Sequence, residues 1–230
     1  MEYLSDGLMR AVMLIIKLDR EVFTITFISL RISTIAILSS SMISVPFGFV
    51  IGINSFKGRS IIITLLNTLM AFPTVVVGLL VYSMVSNKGP LGPLGLLFTP
   101  TAMIIGQFIL ATPIITALTI AAVQGIDPRI RKTATALGAN AFQSALTTVS
   151  EARFAITASV VAGFGRIIGE VGASMMLGGN IRGYTRNIPT AIALETSKGE
   201  FSLALALGFI LLTVALVINF LLRFLQSKKV

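Results

Sequence analysis

Five long apolar segments constrain this chain more than any other feature of its sequence. Each is at least about 20 residues long, the length that a helix needs to cross the hydrocarbon core of a bilayer. A segment in that core must be helical, because lipid offers no hydrogen-bond partners to an open backbone. The sequence therefore predicts an all-α membrane protein, a single domain over residues 1–230, with spans at about 32–53, 61–84, 101–123, 154–178 and 202–222.

The composition excludes several other classes of protein. The chain is 55% hydrophobic and only 12% charged, about half the charged fraction of a soluble domain. Its net charge of +9 does not indicate nucleic-acid binding, because the basic residues are scattered between apolar segments. The sequence contains no Cys and no His, and its acidic residues form no cluster. We therefore predict no metal site, no catalytic residue and no enzyme activity.

The first 21 residues differ from the five long segments. Leu8, Ala11 and Ile15 recur at helical spacing, while Lys17 and Asp19 follow them. The apolar run is too short to cross a bilayer. This pattern predicts an amphipathic helix at the membrane interface over residues 1–21. A sixth membrane span is the alternative.

The distribution of Lys and Arg predicts the orientation in a plasma (inner) membrane, since cytoplasmic loops carry an excess of cations. At one set of segment ends cations outnumber anions by nine to two, and at the other by seven to six. The first set should therefore be cytoplasmic, with the N-terminus outside and the C-terminus in the cytoplasm. The cytoplasmic set comprises Lys57, Arg59, Arg129, Arg131, Lys132, Arg153, Arg223, Lys228 and Lys229, with Asp127 and Glu151.

The longest cytoplasmic loop, residues 124–150, carries signals for two short helices. Asp127 followed by Pro128 is typical of a helix start. Gly138 suits the left-handed conformation that ends a helix, and Asn140 can cap the next one. We expect helices over 128–137 and 140–149. They form either a connector resting on the membrane surface or a docking element for a cytoplasmic partner.

The loop sequence ATALGA at 134–139 resembles the coupling motif of the permeases of binding-protein-dependent ABC importers. Gly138 matches the motif glycine, whereas Lys132 stands where that family commonly has Glu. The resemblance implies docking onto a nucleotide-binding subunit. The positions implied in this contact are Arg131, Lys132, Ala134, Leu137, Gly138, Ala139 and Phe142.

A second resemblance covers about residues 22–225. The stretches EARFAITASVVAGFGRIIGEVGASMMLGGNIRGYTR and TAIALETSKGEFSLALALG are similar to permeases of the molybdate, sulfate and tungstate group, and point to the tungstate branch. The resemblance implies a MetI-like fold of five transmembrane helices. It also implies the permease subunit of an ATP-driven importer that moves a tetrahedral oxyanion by alternating access. Tungstate is the first expectation, and molybdate or sulfate are the alternatives.

The same resemblance implies partners for this chain. These are a second copy of itself, two ABC nucleotide-binding subunits and an extracytoplasmic substrate-binding protein, in addition to membrane lipid. The sequence lacks the GxxxxGK[ST] phosphate loop, so ATP and Mg are expected on the partner ATPase and no cofactor on this chain. A secondary anion transporter that is not coupled to ATP is the competing hypothesis, although no inverted repeat supports it.

Two charges interrupt the fourth apolar segment. Arg166 and Glu170 stand one helical turn apart, where they can form an ion pair. An unpaired charge at the bilayer centre costs at least ~2.5–3.5 kcal/mol. Three interpretations remain open: an ionic clip that holds subunits in register, a lining or gate of the translocation path, and an anion site on Arg166 alone. Gly165 and Gly169 predict the close approach of another helix.

A polar stretch follows this segment. Gly178 and Gly179 are expected to end the fourth span, and the loop after them should face outward. That loop should contact a binding protein or attract an oxyanion, and a solvated turn is the alternative. Thr196 and Ser197 are expected to cap the last span. The pathway or gate candidates are Arg166, Glu170, Ser174, Asn180, Arg182, Thr185, Thr196 and Ser197, and the loop also contains Tyr184 and Arg186.

Overall fold

The computed structural model describes residues 2–17 and 19–227, and the regular secondary structure of this part of the chain is helical. Lys228 and Lys229, two of the predicted cytoplasmic cations, lie outside the described residues. The helices are α1 (Glu2–Ile16), α2 (Arg20–Ile53), α3 (Arg59–Met70), α4 (Thr74–Val85), a 3-10 turn (Gly92–Leu94), α5 (Pro100–Gln124), α6 (Pro128–Ala136), α7 (Ala141–Ile168), α8 (Gly172–Gly178), α9 (Ile188–Lys198) and α10 (Phe201–Ser227).

Helix α2 packs along α5 and forms the centre of the molecule. It begins earlier than the apolar segment 32–53 because Asp19 caps it, accepting hydrogen bonds from the main-chain N–H groups of Glu21 and Val22. The two helices approach closely at Gly48, where a β-carbon would lie 2.8 Å from the carbonyl oxygen of Thr116. This contact leaves no room for a side chain at position 48.

Two of the predicted spans are broken. Helices α3 and α4 meet at 96°, and α7 and α8 meet at 62°. Pro73 lies at the first break and immediately precedes α4, in keeping with the tendency of proline to interrupt a helix. The span predicted at about 154–178 is present as a broken helix, because α7 ends at Ile168 and α8 begins at Gly172. The helix expected over 140–149 does not end there, since α7 runs on into the membrane-spanning part.

Among the described residues, three helices are long and apolar enough to cross a bilayer, or five when each bent pair counts as one span. Helix α1 has 15 residues, a length of about 22 Å, which is less than the ~30 Å core. The described helix is therefore too short for a sixth span. It packs along α10, with Ala11 buried, while Val12 and Ile16 are exposed.

The ends of the helices gather into two groups. At one end, Arg59 and Arg131 both donate hydrogen bonds to carbonyls in the last turn of α2. At the other end, Glu21 at the start of α2 forms ion pairs with Arg182 and Arg186 in the loop after α8. These members of the predicted cytoplasmic set and of the other set therefore lie at opposite ends of α2.

Candidate coupling surface and intramembrane ion-pair site

The corner between α6 and α7 is built from local capping interactions. The Asp127 carboxylate accepts a hydrogen bond of 2.8 Å from the Arg129 N–H and so starts α6. Gly138 adopts a φ of +89°, a conformation that costs other residues more than glycine. Asn140 and Gln143 form a reciprocal capping box that starts α7. These features confirm the predicted helix start, glycine corner and second cap.

Apolar side chains at this corner are unusually exposed. Helix α6 has no buried residue, and the side chains of Leu137 and Phe142 are 84% and 71% exposed. A groove of about 620 Å³ lies between α6 and α7, with Leu137, Gly138 and Gln143 in its lining. Exposed apolar side chains grouped around a groove are typical of an interaction site.

Arg131 makes a contact that the sequence did not indicate. Its Nη1 donates to the Ile53 carbonyl at 3.3 Å, and Arg59 donates to the carbonyls of Ile51 and Gly52 at 2.9 Å. The last carbonyls of a helix lack partners within it and carry partial negative charge. Two arginines therefore satisfy the end of α2, and one of them joins α2 to α6.

The second candidate site is the predicted ion pair. The Nη1 of Arg166 lies 3.1 Å from the Oε2 of Glu170, and the two side chains are 43% and 4% exposed. Glu170 lies beyond the end of α7, and its Oε1 accepts a hydrogen bond of 3.1 Å from the Ala173 N–H in α8. The Glu170 carboxylate thus bridges the break between α7 and α8.

Neighbouring helices hold this break in place. The Gln107 side chain of α5 is buried and donates from Nε2 to the Ile167 carbonyl at 3.3 Å. Gln107 lies seven residues after Pro100, the start of α5, or about 10 Å from that end of the helix. Gly172 lies against Thr74 and its neighbour at the start of α4, so the two broken spans have their breaks side by side.

Small residues leave open space around Arg166. No atom of the described chain lies within 4 Å of the β-carbon position at Gly165 or Gly169, apart from their immediate neighbours. The close helix contact predicted at these glycines is therefore not supplied by this chain. Ser174, another pathway candidate, is buried, and its Oγ has no hydrogen-bond partner among the described residues.

The loop after α8 is less outward-facing than predicted. Thr185 is fully buried, donates to the Gly178 carbonyl and accepts from the Ile181 N–H. Arg186 is only 12% exposed, with its Nη1 3.5 Å from Glu21 and 3.7 Å from a carboxylate of α9. The prediction that these two side chains face outward is wrong, because each satisfies buried polar groups.

The other loop candidates occupy different positions. Arg182 is exposed and pairs with Glu21, whose hydrogen bond raises the pKa of Arg182 above its ordinary value. Asn180 adopts a φ of +53° and donates from Nδ2 to the Thr190 carbonyl at 3.4 Å. Its side chain helps to hold the loop against α9.

Thr196 and Ser197 do not cap the last span. Both lie in the last turn of α9, where the Ser197 Oγ donates to the Leu194 carbonyl at 2.6 Å. Helix α10 begins later, at Phe201. Sequence reasoning missed Glu195, which is buried and accepts a hydrogen bond of 3.0 Å from Lys198. Its position as an acidic residue in a mostly apolar helix could have indicated a structural role for Glu195.

An intramembrane ion pair beside two broken spans is typical of a membrane transport protein. The family described as "Binding-protein-dependent transport system inner membrane component" matches residues 44–230. The chain belongs to this family of ABC transporter permeases, whose members are transport components and not enzymes. It is therefore an inner-membrane protein with several membrane-spanning helices.

Individual relatives agree with this assignment. The chain is 38% identical over 228 residues to the tungstate uptake system permease protein TupB of Peptoclostridium acidaminophilum, covering 99% of this chain and 100% of the relative. It is 41% identical over 201 residues to a probable anion ABC transporter permease protein of Haloferax volcanii, covering 85% and 87%. These similarities confirm the resemblance found in the sequence.

A solved structure agrees with the predicted fold. The MetNI methionine ABC transporter, in an inward-facing conformation, contains a chain that matches with a TM-score of 0.69 at 15% identity, covering 90% of this chain and 94% of that chain. At this identity the likeness concerns the fold alone. The MetI-like helical architecture is thereby confirmed.

Proposed function

We propose that this chain is the membrane-spanning permease subunit of an ATP-driven importer for a tetrahedral oxyanion, with tungstate as the first substrate. The similarity to a tungstate uptake permease over 99% of the chain carries the proposal. Molybdate and sulfate are the alternative substrates, because all three are tetrahedral dianions. The Haloferax volcanii relative is named only for an anion, which is consistent with any of them.

The working transporter needs further subunits. A second copy of this chain would complete the pathway, two ABC nucleotide-binding subunits would bind ATP and Mg, and an extracytoplasmic binding protein would deliver the anion. The exposed corner formed by Leu137, Gly138 and Phe142 supports docking of the ATPase, because nothing in the described chain covers it. This assignment places the corner in the cytoplasm, the N-terminus outside and the C-terminus inside.

Two connections support transmission of movement from the corner. Helix α7 is continuous from Ala141 to Ile168, 28 residues, or about 42 Å. It therefore connects the docking corner rigidly to the ion pair at Arg166. The hydrogen bond from Arg131 to Ile53 connects α6 to α2. Closure of two ATPase subunits would move both helices together and open the pathway alternately to the two sides.

The predicted gate residues fall into three groups. Arg166, Glu170 and Ser174 would line or shape the pathway within the membrane. At the outer end Arg182, Thr196 and Ser197 are exposed and would meet the binding protein or attract the anion. The remaining candidates, Asn180 and Thr185, would shape the loop through their contacts with the backbone.

Reconstituted vesicles test this function. The chain would be purified with its ATPase, inserted into liposomes and supplied with the binding protein, ATP and tungstate. We expect uptake that requires ATP and all three proteins, with competition by unlabelled molybdate and sulfate defining the substrate. Uptake driven by an anion gradient, with no ATPase required, would instead support a secondary transporter.

A further inference from the structure

We propose that Arg166 is a transient contact for the oxyanion inside the membrane, and that Glu170 is the counter-ion that lets the anion leave again. The inference rests on the proposed function, since it needs an anion to pass between two copies of this chain. It assigns a separate role to each of the two residues. The cation contacts the substrate, and the carboxylate competes with it.

The two side chains differ in exposure and in the number of their contacts. Arg166 is 43% exposed and Glu170 only 4%. Arg166 makes one hydrogen bond, from Nη1 to Glu170, and no other ion pair or hydrogen bond within the described part of the chain. A guanidinium has five N–H donors and binds oxyanions through two parallel hydrogen bonds. Most of the donors of Arg166 are therefore available to a ligand.

The surroundings of Arg166 leave space for a ligand. Gly165 and Gly169 flank it, and no neighbouring side chain of the described residues fills the positions that their β-carbons would take. The site is also deep: its neighbour Ile167 bonds to Gln107, which lies about 10 Å inside the end of α5. An anion at this depth has lost water, so a fixed cation there compensates for part of the lost hydration.

The charge balance explains why Glu170 is needed. A second copy of the chain would supply a second Arg166, and two such cations match the charge of a dianion. Two unopposed arginines would hold the anion tightly, and a transport pathway must also release its ion. Because the Ala173 N–H holds Glu170 in place, the carboxylate stays beside Arg166, competes with the anion for the guanidinium and so favours its release.

Glu170→Gln separates the two tasks. Glutamine has the same shape and retains an acceptor for the Ala173 N–H, but it removes the competing charge. The complete transporter would be placed in nanodiscs without binding protein and without ATP, and titrated with sodium tungstate. We expect E170Q to bind tungstate at least about tenfold more tightly than the wild type, since an opposite charge at ion-pair distance is lost.

Two further variants show whether Arg166 is the ligand. In R166Q/E170Q the gain in tungstate affinity should disappear. Arg153→Gln, which removes another exposed cation from α7, should leave tungstate binding unchanged in the E170Q background. The proposal is overturned if E170Q binds no more tightly than the wild type, or if R166Q/E170Q retains the gain.

Uptake by R166Q separates an anion contact from an ionic clip between subunits. An anion contact predicts that tungstate uptake falls about tenfold or more, as expected for loss of a charged hydrogen bond, while ATP hydrolysis stimulated by the binding protein persists. A clip predicts dissociation of the two copies on size-exclusion chromatography and parallel loss of both activities, which would overturn the proposal. Failure of ATP-dependent uptake by the wild type would instead refute the proposed function.

Discussion

The guanidinium of Arg131 donates a hydrogen bond to the main-chain carbonyl of Ile53 at 3.3 Å, and this contact joins the exposed helix α6 to the end of α2. The two residues lie on different elements and are far apart in the sequence. A force applied to α6 by a docked ATPase would therefore reach α2 directly, in addition to passing through the glycine corner into α7.

Replacing Arg131 with Ala should weaken coupling without unfolding the permease. The exposed contact is worth about 0.5–1 kcal/mol, so we expect a loss of about two- to fivefold in tungstate transported per ATP hydrolysed. Arg129 is the matched control, because its exposed side chain pairs with Asp127 at the start of its own helix. Equal effects of R131A and R129A on that ratio would show that coupling depends on the positive charge of α6 and not on the hydrogen bond to α2.

Gly138 provides a second prediction. Its φ of +89° costs other residues about 1–2 kcal/mol, so Gly138→Ala should distort the corner. Gly138→Pro should abolish ATP-coupled uptake, although the protein should still insert into the membrane. Gly58 is a matched control, since its φ is +92° and its β-carbon position is equally open. Uptake in vesicles checks this prediction. Normal uptake by G138P, or equal losses in G58A and G138A, would contradict a special role for the corner.

The exposed side chains of Leu137 and Phe142 should stabilise the complex with the ATPase subunit and should not stabilise the isolated permease. Leu137→Ala and Phe142→Ala should each weaken association with the ATPase subunit by about 1–3 kcal/mol, the range of well-packed interface residues. Neither should lower the melting temperature of the isolated permease, because both side chains are exposed. Leu212→Ala, at a site that is 68% exposed on α10, serves as the control. Unchanged association in L137A and F142A would exclude this surface as the docking site.

Local signals in the sequence correctly predicted the backbone of the corner between α6 and α7. Asp127, Gly138 and Asn140 determine the backbone through contacts with residues at most a few positions away. The ion pair of Arg166 and Glu170 is equally local, and it is present as predicted. Caps, glycine conformations and one-turn pairs depend on short-range geometry, which a single sequence displays.

The structural features that the sequence did not predict depend on contacts between residues far apart in the chain. The break after Ile168 is held by Gln107, which is 60 residues distant, and apolar composition alone gives no reason for a helix to stop there. Burial of Arg186 depends on Glu21 and Glu195, two acids that the charge count placed only on the same side of the membrane. No periodicity in the sequence brings these three residues together.

The cluster around Arg186 supports a final prediction about stability. Glu195 is buried, accepts a hydrogen bond from Lys198 and lies 3.7 Å from Arg186. Glu195→Gln would remove the negative charge and leave Arg186 with Glu21, at 3.5 Å, as its remaining ion-pair partner among the described residues. We expect a loss of about 1–3 kcal/mol, the cost of leaving a buried polar group poorly satisfied, measured as a lower unfolding midpoint in detergent.

Glu200→Gln is the control for this stability prediction, because Glu200 has the same charge, lies five residues later and has an exposed side chain. Its midpoint should stay within about 0.5 kcal/mol of the wild type, as for most surface substitutions. The two variants carry the same change in net charge, so a difference between them reports on the buried position and ion pairs of Glu195. Equal midpoints for E195Q and E200Q would mean that the buried cluster contributes nothing to holding α2, the loop and α9 together.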